Sequence, residues 1–503
     1  MGQTSAPTAS AASDTAAIGI VAGAGYLTML MGVVRAVLLA KVLGPVQRGV
    51  FNGVGLVTQY CGNCNIGLVH GMNKLMPLWM GSGDGEGARR LQDTAFTGTL
   101  LLTGTTAGGV VLLAFAAPLG FAVDTRLGLA FGAALLLVSQ GQLLVNSLLR
   151  TYGDYPLMAK AQLVGCVGEF AMALSLGRLW GAPGAVLGLV LGGFLGYVWM
   201  LRGTKVRIQW RLHGEEIKVL LATGVPLLLL ALADQFYRTV DGAILLKMRH
   251  AQALGMYGIG LRLAAFLYNV PGAVGYVLFP RFLETYGREG DPAALRRLLL
   301  APTIALVALV PLLSGIAFLL LGPLVAGYLS AYLPGLASMR ILALGGILLG
   351  IAVPTDAFLV AVGRHRRVLL HKVIGGCIIA AATFLIARSD LDLSRTLSWV
   401  AGGACVGYAT ASALSLVLAF SHFRDARPAR MVARALGLGG YCVGLTLGIY
   451  WLIGHIPLPA HSWWAAFVGV VLLVGGSLPV LRYAQRETLL FSRLLDLARR
   501  LRP

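Results

Sequence analysis

The chain is short of charge. Only 12% of its 503 residues are Asp, Glu, Lys or Arg, and just 20 are acidic; an average soluble protein carries about 25% charged residues. A soluble domain of ordinary make-up is thereby excluded. Cysteine is sparse as well. Cys61, Cys64, Cys166, Cys377, Cys405 and Cys442 all fall in apolar stretches, where they act as small buried hydrophobes and imply no disulfide framework. Cys61 and Cys64 form a CxxC, but no second pair or suitable histidine spacing follows, so no zinc or redox site is expected; His70 reads as a polar cavity or packing residue. Outer loops of any size are missing too. A membrane glycan polymerase or ligase would need one, and no nucleophile–base or metal constellation appears, so the chain reads as a non-enzyme without a cofactor.

Hydrophobic residues make up 57% of the chain and the mean hydropathy is +0.80. Apolar spans fall at 18–40, 49–79, 93–116, 128–149, 157–177, 181–201, 218–247, 254–284, 299–321, 337–362, 367–388, 397–420, 432–455 and 463–483, each near or above the ~20 residues that cross a bilayer. The class is therefore an all-α polytopic membrane protein of about fourteen transmembrane helices. The net charge of +20 does not signal nucleic acid, because the basic residues sit in short runs between spans. With the N-terminus inside, 27 Lys and Arg fall on the cytoplasmic side, nine on the other and four within spans, which predicts that both termini are cytoplasmic. Trp79, Trp180, Trp199, Trp399, Trp463 and Trp464 fall at span ends, where an aromatic belt is expected.

Residues 1–17 are polar and lack the basic region of a cleaved signal, which reads as a disordered cytoplasmic tail. Spans 1–6 (18–202) and 7–12 (218–422) look like two copies of one unit, joined by a basic cytoplasmic linker at 203–217 and followed by spans 13–14 (432–483). The copies are marked by Gly49–Leu56 against Gly255–Leu261, by Pro77 against Pro280, and by Asp84, Arg89 and Arg90 against Asp291, Arg296 and Arg297. An even number of spans per copy gives parallel repeats, with a site expected at their interface. The tail at 484–503 places Leu490, Leu494, Leu497 and Leu501 opposite arginines, a basic amphipathic helix for the inner leaflet.

Ionisable residues inside spans are costly and tend to line a bundle interior. Span 7 carries Asp234, Arg238 and Asp241 at spacings of four and three, which puts them on one helix face. The repeat offset places Asp241 where span 1 has Arg35. Arg35, Lys74, Arg238 and Arg262 are the four intramembrane cations read from the sequence, and against Asp234 and Asp241 they leave a surplus of two positive charges, suited to an anionic ligand such as a phosphate ester. A closed salt-bridge network holding helices together is the plain alternative. Glu169 and Asp356 stand as lone intramembrane acids, candidates for H+ or Na+ coupling or for charge pairing. Gln59, Tyr60, Asn65 and Tyr237 are candidate sugar contacts.

The stretches Arg35–Leu56, Asn73–Gln92 and Leu254–Asp291 resemble the Wzx-type polysaccharide-repeat-unit flippases of the multidrug/oligosaccharidyl-lipid/polysaccharide exporter (MOP) superfamily. The resemblance spans nearly the whole chain, though its glycine- and proline-centred motifs place the superfamily better than the substrate. It implies two pseudo-symmetric six-helix bundles in a V, plus two extra C-terminal helices, around a cationic cavity formed by Arg35, Arg238, Arg262 and, less directly, Lys74. It also implies transport of an undecaprenyl-diphosphate-linked oligosaccharide across the bacterial inner membrane by alternating access, with membrane lipids, a polysaccharide polymerase or a chain-length regulator as partners. A cation-coupled drug antiporter and a peptidoglycan-precursor flippase are the alternatives from the same superfamily.

Overall fold

In hydrocarbon every backbone N–H and C=O must be satisfied within the chain, which restricts an apolar sequence of this kind to helices. The computed structural model describes residues 8–116, 121–204, 209–423, 427–455 and 462–488, and helices account for nearly all of them. They are α1 (Thr8–Cys61), α2 (Leu68–Gly81), α3 (Gly85–Ala116), α4 (Val123–Thr151), α5 (Tyr155–Gly203), α6 (Gly214–Glu289), α7 (Arg296–Tyr328), α8 (Leu336–Ala361), α9 (His365–Arg388), α10 (Leu393–Phe420), α11 (Arg427–Gly454), α12 (Trp463–Gly476) and α13 (Leu478–Thr488). Eleven helical segments among the described residues are long and apolar enough to cross a membrane, and large apolar side chains such as Leu30, Leu112, Leu179 and Leu385 stand exposed on them. The chain is a multi-pass membrane protein. Three of the eleven segments, in α1, α5 and α6, each take in residues of two expected spans.

The structure departs from the sequence reading at the N-terminal end and in span 2. Helix α1 starts at Thr8, inside the segment expected to be a disordered tail; residues 1–7, linker residues 205–208 and the tail from 489 onward lie outside the described residues. The span expected over 49–79 is broken, with turns from Gly62 to Gly67 between α1 and α2 and positive φ at Ile66 and Gly67. Side chains take up the freed backbone groups. Gln140 Nε2 donates to the Gly62 carbonyl at 2.8 Å, the Gly67 N–H donates to Asn65 Oδ1 at 3.0 Å, and Asn65 Nδ2 donates to Gln140 Oε1 at 3.3 Å. Such substitution is what allows irregular backbone at membrane depth.

The chain divides into two compact units, Met1–Leu232 and Ala233–Pro503. The first therefore includes the opening turns of α6, because Leu220 joins a buried cluster with Leu68, Met72 and Met76 of α2, Leu91 and Phe96 of α3 and Leu144 of α4. Elsewhere in this unit α5 packs along α1 and α4. Its two halves also pack on each other, through Gly184, Gly188, Gly192 and Gly196. Spaced every fourth residue, these form the small-residue stripe that lets helices approach closely in lipid. At Gly192 an added Cβ would lie 2.1 Å from the Glu169 backbone nitrogen, so only glycine fits there. In the second unit α8 packs against α7 and α10, and α10 against α9, while α7 also carries α11 and α12 through a cluster of Phe318, Leu319, Ile449 and Leu473.

Two helices share one unusual bend. Helix α1 bends at Gly44 (φ 69°, ψ 173°) and α6 bends at His250 (φ 68°, ψ 175°). The two bends are 206 residues apart, the spacing between Gly49 and Gly255. Each bend is tied to the matching place in its own unit. Past Gly44, Gln47 Oε1 accepts from the Ala182 N–H at 2.9 Å, beside the α5 kink at Trp180 and Gly181. Before His250, Arg249 Nε donates to the Ala387 carbonyl at 3.0 Å, and its guanidinium also reaches the Ser389 carbonyl at the end of α9.

This φ/ψ region is almost exclusive to glycine and costs other residues roughly 1–3 kcal/mol. His250→Gly is expected to relieve that strain and, after the entropy lost to a freer unfolded chain, to stabilise the protein by about 1 kcal/mol. Thermal unfolding of the purified protein checks this; a lower midpoint in the variant would show that the imidazole itself holds the bend.

Candidate substrate site

In the second unit the spacing of Asp234 and Arg238 on α6 does bring the two together as an ion pair. Lys372 of α9 reaches the same Asp234 carboxylate and also lies 3.2 Å from Asp356 Oδ2 on α8. Asp356 in turn accepts from Ser415 Oγ at 2.6 Å, and His371 Nε2 lies 3.1 Å from it. The Arg238 guanidinium lies over the Tyr268 ring at 4.0 Å. Tyr237 packs edge-on to Tyr408 at 5.2 Å. The pocket these groups line has an internal volume of about 10 Å³, no more than one water needs.

Several expectations are corrected here. Asp356 is not a lone acid. Lys372, counted with Arg364, Arg366 and Arg367 on the cytoplasmic side, lies inside α9 with a side chain only 12% exposed. Two cations then face two anions, so the network carries no surplus positive charge. Asp241 is not part of it either; it is buried and accepts from Tyr257 Oη at 2.6 Å and from the Gly242 N–H at 2.8 Å. Arg48 and Arg340, counted to the outer side, are both buried, and Arg340 donates to Tyr450 Oη at 2.7 Å.

In the first unit Arg35 of α1 pairs with Glu169 of α5, so Glu169 is not a lone acid. They lie on the wall of a half-open cavity of about 240 Å³ lined also by Thr28, Gln142, Asn146, Gln162 and Cys166. Lys74 and Arg262 are exposed, on α2 and α6. Gln59 is exposed, Tyr60 half-buried, and Asn65 buried at the α1–α2 break. These five line neither cavity.

Lys372, His371, Gln142, Asn146 and Gln162 escape the sequence reading. A signal was present for three of them: Gln142 and Asn146 stand four apart on α4, and Gln162 and Glu169 seven apart on α5, each a polar stripe on one face of an apolar helix. For Lys372 the signal is its depth, about two turns inside α9.

Tandem units of bent apolar helices, each with a charged pocket of its own, make up this fold. Solved structures share it at low identity. One is a multidrug resistance MATE family transporter of the MOP superfamily, facing inward, with a TM-score of 0.64, 15% identity, and coverage of 80% of this chain and 95% of that one. The other is a lipid II flippase MurJ in an inward closed conformation, with a TM-score of 0.71, 12% identity, and coverage of 93% and 99%. A MOP superfamily transporter from Pyrococcus furiosus, described by the reverse polarity of its binding pocket, matches with a TM-score of 0.52 at 15% identity, over 82% and 94% of the chains. Residues 89–330 match the family described as polysaccharide biosynthesis protein. No curated protein is significantly similar to the chain in sequence.

Proposed function

We propose that the protein is a flippase that moves an undecaprenyl-diphosphate-linked oligosaccharide repeat unit across the bacterial inner membrane for surface polysaccharide assembly. The observation that carries this reading is the match of residues 89–330 to the polysaccharide biosynthesis family; the fold shared over most of the chain with a lipid II flippase supports it. Alternating access of two units around the substrate supplies the mechanism. Lys74 and Arg262, both exposed, meet the diphosphate. Arg35 and Arg238 meet the substrate as members of ion pairs with Glu169 and Asp234, and exchange of those partners accompanies the cycle. The polyprenyl tail stays in lipid, both termini face the cytoplasm, and a polymerase or chain-length regulator receives the product.

The test is flipping of an undecaprenyl-diphosphate oligosaccharide in proteoliposomes at matched reconstitution. Wild type transports it, and Arg35→Ala and Arg238→Ala each lose at least tenfold while remaining folded. Unchanged transport in both variants would reduce the arginines to structural ion pairs. The fold likeness to a MATE transporter favours a second reading, a cation-coupled antiporter; absence of flipping alongside ion-driven drug uptake would establish it.

A further inference from the structure

The two charged pockets differ in a way that assigns them different work. The pocket around Lys372 has about 10 Å³ of internal volume and the one around Arg35 about 240 Å³. Before any exchange of ion-pair partners, only the second has room for a chemical group of the substrate. All its walls come from the first unit: Thr28 and Arg35 from α1, Gln142 and Asn146 from α4, and Gln162, Gly165, Cys166 and Glu169 from the first half of α5, with Met200 from its second half.

The wall chemistry is neutral overall but dense in hydrogen-bonding groups. The Arg35 charge is cancelled by Glu169, leaving no surplus to attract a diphosphate. Three amides remain. Gln142 Nε2 donates to the Gly193 carbonyl at 2.7 Å, which fixes that side chain and leaves its carbonyl oxygen as an acceptor. Each amide offers both donor and acceptor, the guanidinium offers a planar set of donors, and the carboxylate offers two acceptor oxygens. Such a set matches a group whose every substituent both donates and accepts, which is a sugar hydroxyl. A fatty or aromatic cation would leave these groups unpaired in a membrane interior, at a cost of 1–3 kcal/mol each.

We infer that the cavity bounded by Arg35, Gln142, Asn146, Gln162 and Glu169 is a sugar-binding subsite that selects the glycan of the lipid-linked substrate, separate from the groups that hold its diphosphate. This rests on the flippase reading above. The Arg35–Glu169 pair and the amides take hydroxyls of one sugar ring, and the recognition element is complete within residues 28–200.

The test uses full-length protein in proteoliposomes with two probes. One is the complete lipid-linked oligosaccharide isolated from the producing cells; the other is undecaprenyl diphosphate carrying a single sugar. Asn146→Leu and Gln162→Leu keep side-chain size and suit an apolar helix, and Gln162→Glu retains an acceptor. Each leucine variant is expected to lower flipping of the complete glycan about tenfold, the worth of one buried hydrogen bond, with the single-sugar lipid nearly unaffected and Gln162→Glu partly restored. Loss of both probes together, or of neither, in variants whose wild type is active would overturn the subsite while leaving the flippase intact. If wild type flips neither probe, the flippase reading itself falls and the subsite falls with it.

Discussion

Lys372→Met is expected to destabilise the Ala233–Pro503 unit by about 3–5 kcal/mol, the usual cost of removing one partner from a buried ion pair. Lys372 bridges Asp234 and Asp356 from a position where its side chain is 12% exposed, so water cannot replace it. Asp234 would keep Arg238 as counter-charge, but Asp356 would be left with Ser415 and a histidine. Asp356→Asn in the same chain removes the orphaned charge, and the double variant is expected to recover most of the loss, because deleting both members of a buried pair is often nearly neutral. Thermal unfolding in detergent and the monodisperse fraction on size exclusion measure both. A Lys372→Met protein as stable as wild type, or a double variant worse than the single, would show that the network is solvated and carries little of the fold.

A comparable loss is expected in the first unit from Gly192→Leu. The Cβ alone would sit 2.1 Å from the backbone nitrogen and 2.4 Å from the Cα of Glu169, so the clash is with main chain that no rotamer change can move aside. Overpacking a core costs about 1–3 kcal/mol when side chains can adjust, and a backbone clash lies at or above that upper end. The halves of α5 must separate, and Glu169 is carried away from Arg35 with them. The same change at Gly104, where an added Cβ meets nothing within 4 Å, is expected to be nearly silent and serves as control. Protease resistance of the reconstituted protein reads the difference; equal resistance of the two variants would mean that the α5 crossing tolerates separation.

What the sequence showed plainly was the periodic, long-range part of the structure. Apolar length marks the helices, and the echo of Gly49–Leu56 in Gly255–Leu261 has the same 206-residue spacing as the bends at Gly44 and His250. The pairing of Asp234 with Arg238 follows from helical spacing. The partners from other helices did not follow. Glu169 lies 134 residues from Arg35 and Lys372 lies 138 from Asp234, and no local rule chooses between candidates so far apart. Lys372 was misplaced because a lysine near a cluster of arginines reads as a loop charge, whereas its depth is set by α9 starting at His365. The break at Gly62–Gly67 is hidden by the apolar residues on either side of it, and the bonds from Asn65 to Gln140 and from Gln140 to the Gly62 carbonyl show how it is held.

The matching bends at Gly44 and His250 also separate backbone shape from side-chain chemistry. A glycine and a histidine hold the same rare dihedral region 206 residues apart, so the bend does not require one residue type. Arg35 and Asp241, each nine residues ahead of its bend, differ in chemistry: Arg35 stands on the wall of a roomy cavity, and Asp241 is buried behind Tyr257. Equal bends thus carry unequal surroundings, an open polar wall in the first unit and charges closed upon one another in the second.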